Sequence, residues 1–312
     1  MKNKTLITMG LIIFLSAAVI LKNRSCGTDV PELEAWYEPA DEINIRSVDH
    51  SLVLARKGDN WLVNEQAYPG DPGLIGSLEK KARDFKLLDL VSDKGYYDKY
   101  DLTDEKGVLV TIKGKGKVLR KILIGKAGST NNHSYVKVND RKEIFFASGI
   151  MKTDFTLNPD DIRNKEILTV SKNDVKSLSI NYGGKKYEFY PVEGSGKTAV
   201  KEGEKPAVEW KCRGYEKLKL RENAINELLN LFSPLRASTY PENTDRKNAG
   251  RVLCTVDIEA GNRKVNLVIF DKKDKDMNMK YAASSESPYI FTMGSWQTEK
   301  LFIKNINNLT VK

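Results

Sequence analysis

The sequence predicts an α+β fold: an N-terminal transmembrane helix followed by two duplicated units, each a mostly antiparallel sheet with one packed helix. Three observations support this prediction. An uncharged, largely apolar run occupies residues 5–21. Downstream, segments of alternating apolar residues are interrupted by one segment of helical period, and this order occurs twice. We therefore expect an anchor at 1–25, a tether at 26–42, and repeats at 43–168 and 169–312.

The anchor is predicted from its length and its lack of charge. Its 17 residues reach the lower limit for crossing a bilayer core, about 17 to 25 residues. They exceed the roughly 7–15 residue apolar core of a cleaved signal, although the small residues Ser16, Ala17 and Ala18 keep a cleaved signal as the alternative. The anchor positions that we expect to contact the lipid bilayer are Leu6, Ile7, Leu11, Ile12, Ile13, Phe14, Leu15, Val19, Ile20 and Leu21.

The flanking charges bear on orientation. Two basic side chains lie on each side of the anchor, and the terminal amine adds a positive charge that favours a cytoplasmic N-terminus. A lone N-terminal anchor before a long polar domain usually exports that domain. We therefore predict a single-pass protein of the cytoplasmic membrane with its C-terminal part extracytoplasmic. Cys26 is interpreted as an ordinary juxtamembrane residue, because polar Asn23 and Arg24 precede it where lipid attachment requires small or apolar residues.

Composition indicates a globular chain with a mildly basic surface. With 40% hydrophobic and 30% charged residues, the chain can bury a core, and its 312 residues suit two domains. Residues 1–26 hold four of the 51 Lys and Arg and no acid, so the remainder carries 47 − 42 = +5. No basic helix or aromatic-rich binding strand is present, so we expect no nucleic-acid partner.

The tether and the first repeat follow in order. Trp36 and Tyr37 in the tether either lie at the membrane interface or cap the first domain. A helix is predicted to begin after an Asp71 N-cap with Pro72 in its first turn, and to place Leu74, Leu78, Ala82, Phe85 and Leu88 on one face. Strands are predicted at 43–48, 51–56, 61–64, 108–112, 119–124, 135–138 and 143–146.

The second repeat has the same order of elements. Trp61 matches Trp210 with an offset of 149, and 108–112 matches 252–256 with an offset of 144. A third match joins 144–146 to 289–291 with an offset of 145. A helix is predicted at 222–232, and strands at 175–180, 185–190, 208–212, 252–258, 264–270, 280–283 and 289–292.

The repeat also bears on the cysteines. Cys212 falls where the first copy has Val63, and Cys254 falls where it has Val110. Small apolar side chains at both places explain the thiols by packing alone. A Cys212–Cys254 bridge is the alternative outside the cytoplasm.

Motifs that resemble binding loops are incomplete. The run Gly194-Ser-Gly-Lys-Thr198 resembles a phosphate loop, but Pro191 replaces its first glycine and no helix follows. The spacing of Asp274, Asp276 and Asn278 opens a calcium loop, but Met279 stands at the required glycine. We interpret the first as a Gly/Ser/Lys loop and the second as a solvated turn.

No catalytic or metal-binding pattern emerges from the residues. His50 and His133 lie in turns without an accompanying acid or nucleophile, and a zinc site requires more closely spaced His and Cys. We therefore predict a protein that is not an enzyme, with no catalytic, cofactor or metal residues. Binding residues favour loops on a rigid scaffold, so we name two corresponding loops as candidate partner sites, with plain hydrophilic connections as the alternative. The candidate residues are Asn131, Asn132, His133, Asp274, Asp276 and Asn278.

Several motifs together suggest a family. They are a Lys57-Gly turn before Trp61, a Tyr68-Pro break before the helix, Tyr100-Asp-Leu-Thr-Asp104, and the strand end Ile122-Leu-Ile-Gly-Lys126. With the N-terminal anchor, this pattern resembles bacterial envelope proteins of domain-of-unknown-function family 4340. The resemblance covers roughly 43–300, and in the second copy Asp271 stands near the place of Gly125.

The resemblance implies a membrane-anchored, extracytoplasmic protein found beside ABC-type transport proteins similar to those associated with gliding motility. The leading hypothesis is a non-enzymatic accessory module that binds a partner, with ABC-type transporter subunits as the expected one. The alternative is a protein that binds, or less readily hydrolyses, cell-wall or other polysaccharides. It is motivated by the exported position, the basic surface and the aromatics Trp61, Trp210 and Trp296. Trp61 and Trp210 are expected to be core residues, because the repeat places them identically inside hairpins.

Overall fold

The computed structural model describes residues 16, 30–130, 132–193, 208–242, 244–273 and 278–311. The chain divides into two compact units, Met1–Asn164 and Lys165–Lys312. All ten predicted anchor positions lie outside the described residues. Within the described part of the chain, no helix combines the length and apolar character that crossing a membrane requires.

The first unit contains a nine-stranded antiparallel sheet with the order β4-β3-β2-β1-β6-β7-β8-β9-β5. Its strands are β1 Glu42–Arg46, β2 Ser51–Lys57, β3 Asn60–Val63, β4 Tyr68–Pro69, β5 Lys86–Ser92, β6 Val108–Gly114, β7 Lys117–Ala127, β8 His133–Val138 and β9 Ile144–Ser148. Helix α1, Pro72–Asp84, contacts β3, and the short helix α2, Pro159–Ile162, closes the unit. Alternate side chains of β6 and β8 are buried, as expected for strands with one core face.

The second unit contains a seven-stranded antiparallel sheet with the order β13-β12-β11-β15-β16-β17-β18, and a separate β10–β14 pair. Its strands are β10 Glu166–Leu168, β11 Val175–Tyr182, β12 Lys185–Glu193, β13 Val208–Cys212, β14 Leu235–Arg236, β15 Val252–Ala260, β16 Arg263–Lys273, β17 Lys280–Ser284 and β18 Ser287–Met293. Its helices are α3 Glu222–Asn230 and α4 Ser295–Leu301. The predicted α+β class with antiparallel sheets is therefore confirmed.

The two units have the same connectivity. The order β3-β2-β1-β6-β7-β8-β9 in the first corresponds to β13-β12-β11-β15-β16-β17-β18 in the second. Among these corresponding strands a helix follows the third in chain order, α1 after β3 and α3 after β13. Even the closing contacts correspond. An isolated bridge joins Gly70, just before α1, to Arg163, and another joins Leu220, just before α3, to Thr310.

The strand pairings correct the predicted match of 108–112 with 252–256. Starting from the match of Val63 with Cys212, the pairings lead through Leu54 and Ile43 to Ile112 in the first sheet, and through Phe189 and Leu178 to Ile258 in the second. Ile112 therefore corresponds to Ile258 and Val108 to Cys254, an offset of 254 − 108 = 146. The prediction was two residues out of register. Because strand side chains alternate with a period of two, a two-residue slip keeps every side chain on its face, and the apolar pattern alone does not detect it.

Helix α1 begins as predicted but ends earlier. The Asp71 side chain accepts hydrogen bonds from Gly73 N at 2.9 Å and Leu74 N at 3.0 Å, which confirms the N-cap. The predicted continuation to Leu88 is wrong, because the chain leaves the helix at Phe85 and forms β5. Strand pairing of β5 with β9 overrides the helical spacing of the apolar residues.

The alternative of a Cys212–Cys254 bridge is wrong. Both thiols are free and buried. Cys212 lies on β13 and Cys254 on β15, with β12 and β11 between them, so three strand spacings of about 4.8 Å separate the two strands. A disulfide needs Cα atoms within about 7 Å. Burial raises the pKa of the Cys254 thiol to about 12, so the thiol is protonated at neutral pH.

Gly125 marks a difference between the two sheets. A Cβ atom at this position would lie 2.0 Å from the carbonyl oxygen of Tyr100, so the segment around Tyr100 lies directly on β7. The pairings Val108–Ile124 and Cys254–Ile269 make Phe270, and not Asp271, the residue that corresponds to Gly125. Phe270 packs in a buried cluster with Ala249, Tyr281, Ala283 and Ile290.

Candidate functional site

The largest cavity described in the first unit is built around Trp36, and we call it the Trp36 cavity. Its volume is about 750 Å³, within the range of small-molecule sites, about 300–1,000 Å³. The segment 30–37 forms one wall. The end of α1, the start of β5 and one residue of β7 form the rest, through Arg83, Phe85 and Arg120 among others.

Arg120 lies at a core position of β7. Its side chain is 2% exposed and shares the buried face of the strand with Ile122 and Ile124. The other residues on this buried face are apolar, so a charged residue here is an exception to the alternation. Arginine side chains are almost never fully buried unless they are paired. Sequence reasoning missed this site, although the phase of Arg120 relative to the two isoleucines was the signal that could have found it.

The Trp36 ring contacts two guanidinium groups. The Arg120 Cζ atom lies 4.8 Å from the centroid of the Trp36 ring, and the Arg83 Cζ atom lies 5.3 Å from it. Arg120 also lies 5.7 Å from the Phe85 ring and donates through Nη2 to the carbonyl oxygen of Glu34. Trp36 therefore caps the first unit, which decides between the two predicted roles, whereas Tyr37 is 94% exposed.

Two buried donors of this cluster have no hydrogen-bond partner among the described residues. They are Nη1 of Arg120 and Nε1 of Trp36. Each such donor costs about 1–3 kcal/mol of desolvation. Burial lowers the pKa of the Arg120 guanidinium, and the nearby Glu34 partly offsets this effect. The group stays charged at neutral pH, because arginine is not deprotonated in proteins.

The other charges at the cavity are arranged around Arg120. Arg83 pairs with Glu79, and Asp84 pairs with Lys80, each one helical turn apart on α1. Lys86 is exposed at the rim and forms no ion pair among the described residues, and Glu32 is exposed on the opposite wall. The lining therefore holds three cations and two carboxylates, and Arg120 is its only buried charge.

The predicted partner loops lie elsewhere. In the first, the His133 ring stacks on Phe146 at 5.2 Å and its Nδ1 lies 2.9 Å from Thr130 Oγ1, while the Asn132 carbonyl accepts a hydrogen bond from Gly149 N. In the second, Asn278 is exposed. Asn131, Asp274, Asp276 and the 194–198 run lie outside the described residues. Partner contact through these loops stays a prediction.

The tryptophans differ in exposure. Trp61 is 7% exposed, Trp210 is half-buried and Trp296 is 63% exposed. Trp296, on α4, lines a second cavity of about 320 Å³ together with Leu231 and Pro234. Of the three candidate aromatics for polymer binding, Trp296 alone presents most of its surface to solvent.

Two other carboxyls with displaced pKa values form ion pairs on strands. Lys113 and Asn44 donate to Glu42 and hold the pKa of that carboxyl below its usual range. Lys264 does the same for Glu259. Across the described ranges, no group of three His, Cys, Asp or Glu side chains is placed to hold a metal ion. The Trp36 cavity is therefore the place where burial, unpaired donors and a ligand-sized volume coincide.

Fold and site define a two-unit antiparallel-sheet protein with a ligand-sized cavity in the first unit. The chain belongs to the family described as Domain of unknown function (DUF4340), whose model matches residues 61–251, from the second residue of β3 to the residue before β15. The predicted resemblance is confirmed. No curated protein matches the chain, and no solved structure matches it.

Proposed function

We propose that this chain is a non-enzymatic binding module of the cell envelope. Residues 5–21 hold it in the cytoplasmic membrane, and both sheet units lie outside the cytoplasm. The observation that carries the binding function is the Trp36 cavity, which has the volume of a small-molecule site and two buried donors without partners among the described residues. An ABC-type transporter complex is the proposed partner, and this part of the proposal is supported by the family resemblance alone.

Duplication of one ancestral unit is part of the proposal. It is supported by the shared strand order, the helix after the third strand and the corresponding bridges at Gly70 and Leu220. The units then diverged at their cavities. The buried Arg120 on β7 stands where β16 has Val265, because each pairs with the corresponding residue of the preceding strand, Ile112 and Ile258. The cation of the Trp36 cavity thus belongs to the first unit.

Affinity purification tests the proposed partner. We expect a C-terminally tagged full chain, taken from gently solubilised membranes, to co-purify transporter subunits in near-equal amounts, measured by mass spectrometry. An unrelated single-pass envelope protein with the same tag is the control for background. Recovery of the chain alone after mild crosslinking would contradict the transporter association.

A second candidate function is binding of cell-wall polysaccharide, favoured by the exposed Trp296 beside its cavity. Apolar faces of sugar rings stack on exposed aromatic rings, which combine large apolar area with defined geometry. If this function holds, purified wall polymer retains the full chain, and Trp296→Ala reduces retention several-fold. Tyr37→Ala removes another exposed aromatic, one that does not line that cavity, and should leave retention unchanged. Equal retention of wild type and Trp296→Ala would rule out this site.

A further inference from the structure

We propose that the Trp36 cavity binds an anionic amphiphile, with its phosphate or carboxylate group at Arg120 and its apolar chain along the wall formed by residues 30–37. The inference deepens the proposed binding function and rests on it. The observation behind it is the juxtaposition of a buried, incompletely paired guanidinium with an apolar-lined cavity.

The charge of the ligand follows from the donors. Arg120 directs one nitrogen to the Glu34 carbonyl, and its Nη1 lacks a partner among the described residues, as does Nε1 of the neighbouring Trp36. Arg120 lines the cavity, and guanidinium groups bind phosphate and carboxylate through two parallel N–H donors. Among the described residues no carboxylate forms an ion pair with Arg120: Asp84 pairs with Lys80, Glu79 pairs with Arg83, and the charge of Glu34 acts on Arg120 without an ion-pair contact.

The apolar part of the ligand follows from the rest of the lining. Apolar side chains contribute much of the wall: Val30, Pro31, Leu33, Ala35, Phe85 and Leu87. Val30, Leu33 and Leu87 are half-buried, so they present apolar surface to the cavity while Lys86 stands exposed at the rim. A small inorganic ion would leave this surface in water, whereas an alkyl chain would cover it.

The position of the wall in the chain agrees with this ligand class. Val30 follows the end of the predicted anchor at Leu21 by nine residues, which span at most about 30 Å when fully extended. With the proposed anchor in the bilayer, Val30, where the wall of the cavity begins, stays within that distance of the membrane surface. Lipids with anionic headgroups are then one source of the ligand, and soluble amphiphiles are the other.

Calorimetric titration of the full chain in nanodiscs of zwitterionic lipid tests the inference. The probes are hexyl phosphate, hexanol and inorganic phosphate. We expect hexyl phosphate to bind at least about tenfold more tightly than either of the others. Hexanol lacks the anionic group that Arg120 would bind, and inorganic phosphate lacks the alkyl chain that would cover the apolar wall. Addition of phosphatidylglycerol to the discs should compete with hexyl phosphate if a lipid headgroup is the source, and should leave its binding unchanged if the source is soluble.

Three variants locate the site. Arg120→Lys should weaken hexyl phosphate binding about tenfold, because it keeps the charge but loses the fork. Lys86→Gln, at the exposed rim and without risk to the core, should weaken it about two- to fivefold. Lys57→Gln, an exposed strand lysine away from the cavity, is the matched control and should change nothing.

Two results would overturn the inference. One is the absence of hexyl phosphate binding to the wild-type chain, and the other is equal binding by wild type, Arg120→Lys and Lys86→Gln. Co-purification of transporter subunits is a separate measurement whose outcome does not depend on either result. Failure of this inference is therefore distinguishable from failure of the proposed function.

Discussion

Gly125→Ala should destabilise the first unit by about 3 kcal/mol or more, because it forces a side chain into backbone. The added Cβ atom would lie 2.0 Å from the Tyr100 carbonyl oxygen and 3.1 Å from two side-chain atoms of Leu102. A carbonyl oxygen cannot move aside as a flexible side chain can. The segment around Tyr100 must therefore lift from β7, which also breaks the ring contact of Tyr100 with Tyr135 at 4.7 Å.

The same chemical change at Gly76 is the matched control. Gly76 lies inside α1, and a Cβ atom there would meet nothing within 4 Å. Gly76→Ala should therefore stabilise the unit by about 0.5–1 kcal/mol, because alanine loses less backbone entropy in a helix than glycine. Urea unfolding of the full chain measures both changes. A Gly125→Ala protein as stable as the wild type would show that Tyr100 does not lie against β7.

Phe145→Ala and Phe291→Ala should each destabilise the protein by about 3–5 kcal/mol. Phe145 pairs with Val136 and Phe291 pairs with Ala282, so the two phenylalanines hold corresponding positions with an offset of 291 − 145 = 146. The predicted match of 144–146 with 289–291 was therefore wrong by one residue. Their side chains are 1% and 0% exposed. Truncation removes buried aromatic area and leaves a cavity that a well-packed sheet core fills only in part.

Hydrogen exchange locates these two effects. For Phe145→Ala we expect the largest loss of amide protection in β8 and β5, which pair with β9. For Phe291→Ala we expect it in β17, which pairs with β18. Tyr37→Ala, which truncates a 94% exposed aromatic, should change stability by less than about 0.5 kcal/mol. A severe effect at one phenylalanine and a neutral one at the other would contradict the correspondence.

Local patterns were enough to predict most strands and both long helices. Alternation placed β6, β8 and β13 within two residues of their ends, and Asp71 with Pro72 placed the start of α1. Strand β5 was missed because Leu74, Leu78, Ala82, Phe85 and Leu88 continue a helical spacing past the true end of the helix at Asp84. The spacing of apolar residues in β5 favours a helix, but the backbone hydrogen bonds to β9, a strand distant in sequence, favour the extended conformation that the segment adopts.

The candidate site was much less accessible to prediction. Arg120 appeared as one more basic residue of a basic strand, and Trp36 as a tether residue with two open roles. Only the fold brings the Arg120 Cζ atom to 4.8 Å from the centroid of the Trp36 ring, across a sequence separation of 84 residues, and places the Arg83 Cζ atom 5.3 Å from the same centroid. The sequence did contain one indication of the site, because Arg120 alternates in step with Ile122 and Ile124 and so falls on the same face of the strand.

The sequence by itself determined the family, the antiparallel α+β class and the repeated order of elements, because these depend on local periodicity, caps and turns that recur along the chain. The tertiary structure decided the register of the repeat, the separation of Cys212 from Cys254 and the burial of Arg120. These depend on which strands lie side by side. Strand pairing joins residues far apart in the chain, and a period of two leaves its register ambiguous.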